Sequence, residues 1–169
     1  AKIATKALTR LHFGSKDIEK ISTLVRWHMF FSDTELITLS AVRRMVVRVG
    51  KENMDDLMHL RMCDRIGTGR PKESPYRLRK YQSMVEEAMR DPISVGMLKI
   101  DGSNVMKITN IPPGPKIGYI LNALLEEVIE DPKLNTPENL EKMAINMSKL
   151  DEKDLKKLGE IAKENKEKK

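Results

Sequence analysis

Aromatic side chains are scarce in this chain: three phenylalanines, three tyrosines and one tryptophan among 169 residues. A protein that holds single-stranded nucleic acid by stacking needs a platform of rings, so that class is disfavoured. The lone cysteine, Cys63, excludes an intramolecular disulfide and fits a reducing, cytoplasmic compartment. No apolar run approaches the length a membrane-spanning helix needs, and no signal peptide opens the chain. No stretch alternates apolar and polar residues long enough to read as a strand, and no long repeat recurs. Catalytic signatures are also missing: there is no glycine-rich phosphate loop, no nucleophile elbow and no cysteine pair for zinc.

What is present is charge and helical periodicity. Lysine and arginine number 31 against 25 acids, a net charge of +6 that leans towards a polyanionic partner. From Lys16 to Phe31, Ile18, Ile21, Leu24, Val25, His28 and Met29 recur on one helical face. Ser32 and Glu35 form a capping-box pattern, predicting a second helix to about Val49 that buries Leu36, Leu39, Val42, Met45, Val46 and Val49. A third covers 52–66, with Met54, Leu57, Met58, Met62 and Ile66 inward. Ser74 and Pro75 open a fourth that lasts to about Arg90. Residues 93–112 read as short pieces, with a turn or two around Ser103–Ile108, followed by helices from Pro115 to Glu130 and from Thr136 to about Leu150.

The expected fold is therefore all-α, with two small helical subdomains at 1–91 and 92–150 and a charged tail helix at 151–169. The tail carries seven lysines against six acids and reads as a fraying, solvated helix. Elsewhere the charge is segregated. Residues 65–80 hold six bases and one acid, whereas 121–145 hold six acids and two lysines.

Residues 111–137 are the most informative stretch. Pro112, Pro113, Gly114 and Pro115 run straight into an amphipathic helix, and proline suits its first turn. The free amides of that turn, the positive end of the helix dipole and the Lys116 ammonium favour an anion there. Gly118 leaves the second turn bare. The same residues also fit a well-started helix behind a rigid loop, with no ligand. The histidines carry little: His28 sits on an apolar face and His59 lies among Asp55, Asp56 and Asp64, a common surface pattern. No metal site and no catalytic residue is expected.

Three segments resemble a known family. Leu24–Met29, Val42–Glu52 and Asp56–Arg65 look like the latter half of an HD-type helical domain, as found in bacterial tRNA nucleotidyltransferases and related poly(A) polymerases. Leu98–Met106, then Pro112, Gly114–Gly118 and Leu121, resemble that family's RNA-binding segment, which Asn135, Thr136 and Leu140 continue. The family's polymerase head, which would use magnesium with CTP or ATP, has no counterpart here. The histidine–aspartate doublet is also missing; only His28 and Asp64 fall where the HD pattern has its later histidine and last aspartate. Because Ala1 falls inside the HD pattern, the resemblance implies either a C-terminal fragment or a stand-alone remnant.

The resemblance implies a module that holds the acceptor and TψC arms of tRNA, or another structured RNA, through duplex shape and phosphate. It would need no cofactor of its own. Its expected contacts are Lys107, Gly114, Lys116 and Gly118, with Arg43, Arg44, Arg48, Arg70 and Lys72 as weaker candidates. The alternatives are a helical scaffold that has lost RNA binding and an HD phosphohydrolase remnant. A truncated helical face also implies self-association.

Overall fold

A computed structural model describes residues 1–30, 36–69 and 76–164, with side chains to 158. Among these residues there are nine α-helices and no strand, so the fold is all-α. The helices are α1 (Lys2–Arg10), α2 (Ser15–Trp27), α3 (Leu39–Val49), α4 (Met54–Gly67), α5 (Tyr76–Ala88), α6 (Gly102–Thr109), α7 (Pro115–Glu130), α8 (Pro137–Ser148) and α9 (Glu152–Glu164). The chain divides into two compact units, Ala1–Ala88 and Met89–Lys169.

In the first unit the core is built by α3, α4 and α5. Val42, Val46, Met54, Leu57 and Tyr81 are fully buried, and the Phe30 ring stacks on Tyr81 with centroids 4.7 Å apart. The sequence misplaces one helix start. Leu36–Thr38 are not helical, and α3 begins at Leu39, capped by the Thr38 hydroxyl accepting from the Ala41 amide at 3.2 Å. A threonine held in extended backbone supplies the acceptor that a helix start needs. The Ser32–Glu35 capping box and the Ser74–Pro75 start both lie outside the described residues.

Several residues expected inside are out: Leu36 is 75% exposed, Met29 66% and Ile66 50%. Leu36 precedes α3, Met29 follows α2, and Ile66 lies in the last turn of α4 beside exposed Gly67 and Thr68. At these helix ends the periodic pattern runs on past the packed surface.

In the second unit α7 is the central element. Ile120, Leu124, Val128 and Ile129 are fully buried, and α6, α8 and α9 all pack on it. The α7 bounds match the expected Pro115–Glu130. The last helix does not match its expectation as a solvated tail. α9 packs along α7 with Leu155 fully buried, because its few apolar residues share one face despite the surrounding charge.

One irregular stretch is held by a clasp. Leu98 and Ile100 are buried in non-helical backbone, whose polar groups still need partners. The Asn135 carboxamide supplies two of them: its Oδ1 accepts from the Lys99 amide at 2.9 Å and its Nδ2 donates to the Met97 carbonyl at 3.0 Å.

Candidate nucleic-acid interface

The start of α7 differs from its neighbours. α6 opens with a capping box, in which the Asp101 carboxylate accepts the Asn104 amide at 2.8 Å and the Asn104 side chain accepts the Asp101 amide at 3.0 Å. α8 opens on the Thr136 hydroxyl. At α7 the N-cap is Gly114, in fully extended backbone, and no side chain caps the helix. Only a backbone bond closes the turn, from the Ile117 amide to the Gly114 carbonyl at 3.2 Å. Pro115 occupies the first helical position and contributes no N–H. The positive end of the α7 dipole thus has no carboxylate or hydroxyl of its own at hand.

The charges along α7 reinforce that polarity. Lys116 is half-buried in the first turn, whereas Glu127, Glu130 and Asp131 are exposed at the far end. Acids at a helix C-terminus oppose the dipole locally but deepen the contrast between the two ends. The Lys116 end is thus the more favourable of the two for an anion.

Gly118 is exposed, and a β-carbon added there would meet nothing within 4 Å. Its carbonyl accepts from Asn122 Nδ2 at 2.8 Å, one turn along. Packing inside the protein therefore does not require glycine at this position. Gly102 behaves differently: a β-carbon there would stand 3.5 Å from Ile117 and 3.9 Å from Leu121, so the first turn of α6 lies against α7. Lys107 is exposed in the last turn of α6.

The arginine candidates lie in the first unit, and they are not equivalent. Arg43 is only 7% exposed. It follows Val42 by one residue and precedes Val46 by three, so the helical turn carries it to the inner side of α3. Arg43, named among the weaker candidates, is therefore set apart from Arg44 and Arg48 by its burial. Arg44 and Arg48 are half-buried, and Arg48 lies with its guanidinium 5.6 Å from the centre of the Trp27 ring. Arg26 approaches the same ring at 5.8 Å. This Trp27–Arg48 contact was not anticipated; a tryptophan on α2 and an arginine on α3 carry no joint sequence pattern. Arg70 and Lys72 lie outside the described residues.

His28 and Asp64 each have a local partner. His28 Nδ1 is 2.8 Å from the Val25 carbonyl, and Asp64 pairs with Arg61 at 3.3 Å. Among the described residues no three His, Cys, Asp or Glu side chains gather as a metal site. No described helix is long and apolar enough to cross a membrane.

No protein-family model matches the chain, and no solved structure does. Two curated proteins match by sequence. The chain is 34% identical over 131 residues to a CC-adding tRNA nucleotidyltransferase of Thermus thermophilus, covering 77% of this chain and 28% of that protein. It is 29% identical over 129 residues to an A-adding tRNA nucleotidyltransferase of Deinococcus radiodurans, covering 75% of this chain and 29% of that one. The chain thus spans somewhat more than a quarter of the length of the curated relatives it matches. By sequence its kinship is with the tRNA nucleotidyltransferases, and it corresponds to a part of their length.

Proposed function

We propose that this chain is the RNA-holding body of a tRNA nucleotidyltransferase, which grips the acceptor and TψC arms of tRNA while a separate catalytic head extends the 3′ end. The kinship with tRNA nucleotidyltransferases carries this reading. The start of α7 supports it, since an uncapped helix N-terminus beside Lys116 favours phosphate. Catalysis belongs to the head, with its own magnesium and nucleotide. Phosphate contacts fall to Lys116, Gly114 and the bare surface at Gly118, with Lys107 on α6. Of the arginines, the exposed parts of Arg44 and Arg48 are candidates, and Arg43 is buried.

Titration of tRNA at two salt concentrations tests this. Affinity should fall as salt rises, because phosphate binding releases counterions. Lys116→Glu should weaken binding about tenfold and flatten the salt dependence by about one contact, with the melting temperature unchanged. Equal affinity in the variant would remove the α7 start from the RNA surface. No detectable binding by the wild-type chain would favour a scaffold role instead.

Gly118→Ala separates fold from contact. The new methyl group has room, and alanine gains about 1 kcal/mol over glycine inside a helix. The expected variant is more stable yet binds tRNA less tightly. A variant that is more stable and binds as well as wild type would show that no ligand backbone approaches Gly118.

A further inference from the structure

We infer that the α1–α2 hairpin is a conformational device: it opens from its unit independently of the α3–α5 core, and the ion pair between Lys20 and Asp56 is its latch. Burial carries the inference. Neither α1 nor α2 contains a single buried residue, whereas α3, α4 and α5 supply Val42, Val46, Leu57, Tyr81 and Val85 to the core. The two helices pair with each other. They pack together, and the hydroxyls of Thr5 and Ser22 lie 2.7 Å apart between them.

Towards the rest of the unit, α2 packs against α4 and α3. The defined polar tie is Lys20 Nζ to Asp56 Oδ2 at 2.6 Å, joining α2 to α4. Both side chains are about half exposed, at 47% and 48%, so the pair is solvated and readily broken. The cation–π contact of Arg48 with Trp27 closes the far end of α2. Segments with few buried apolar groups open at lower free energy than the cores they border. Opening bares the half-buried Ile21, Leu24 and Val25, an apolar strip that the closed hairpin withholds from other surfaces.

Hydrogen exchange of the full chain, read by mass spectrometry, tests this. Amides in the middle of α2, away from the terminus, should exchange at least about tenfold faster than those of α3 and α5. Lys20→Met should speed the α2 amides a further about threefold and leave α5 untouched, and Asp56→Asn should do the same. Equal protection across α2 and α5 would overturn the inference, since the unit would then open as one piece. Fast α2 exchange that neither variant alters would overturn the latch. Should a variant fold poorly, the wild-type comparison of α2 with α5 still decides whether the hairpin opens alone.

Discussion

Tyr81→Ala is expected to destabilise the first unit by about 3–5 kcal/mol, whereas Tyr81→Phe should stabilise it by about 1 kcal/mol. The opposite signs follow from two halves of one side chain. The ring is fully buried and stacked on Phe30, so truncation opens a cavity and loses an aromatic pair. The hydroxyl is equally buried but has no hydrogen-bond partner among the described residues. It carries the cost of desolvation without the return of a bond, and phenylalanine removes that cost. Chemical denaturation of the three proteins measures both effects. A loss of stability in Tyr81→Phe would mean that the hydroxyl does find a partner in solution.

The same burial makes Tyr81 a source of alkaline instability. Desolvation pushes its pKa up to about 12, against 10.0 for the free phenol. Above pH 10 the unfolded state sheds this proton while the folded state keeps it, so the folded state is disfavoured as pH rises. The loss begins near pH 10 and levels off near 12, reaching about 3 kcal/mol. Tyr81→Phe should flatten that limb of the stability curve.

Leu155→Ala should cost about 2–5 kcal/mol and release α9 from α7. Leu155 is the one fully buried side chain among the described positions of α9, and it faces α7 in the most extensive helix pairing of its unit. Loss of helical circular dichroism together with new proteolytic cleavage after about residue 150 would report the release. A solvated tail, by contrast, would tolerate the change within about 0.5 kcal/mol. That contrast makes the variant a direct test of how α9 is attached.

Where helix boundaries carry local chemistry, the sequence announced them. Proline at the first position fixes the start of α7, and Thr136 with Pro137 fixes that of α8. The position of Lys116 and Gly118 at one exposed helix start was legible for the same reason. Burial that depends on a neighbouring helix was less so. Leu155 sits in a segment so rich in lysine and glutamate that composition reads as solvent, yet it is fully buried where the helix packs on α7. Arg43 reads as surface because arginine usually is, but α3 turns it inward. α1 was not assigned from the sequence, although Ile3, Ala4, Ala7 and Leu8 fall at helical spacing; its packing on α2 is a pairing that a single segment does not encode. Asn135 was legible as part of a family resemblance, but not as a clasp, since a side chain bonded to distant backbone leaves no pattern at either end.

That clasp distributes freedom to vary unevenly. Asn135 bonds to main-chain groups 36 and 38 residues away, which every residue except proline provides at Lys99 and any residue provides at Met97. The side chains at 97 and 99 can therefore drift without disturbing it. Position 135 has no such latitude: aspartate would offer a second acceptor to a carbonyl that needs a donor, and glutamine would overreach by one carbon. Sequence change is thus absorbed on one side of the contact and refused on the other. No compensating mutation at 97 or 99 could rescue a loss at 135, because what those positions contribute is not encoded by their side chains.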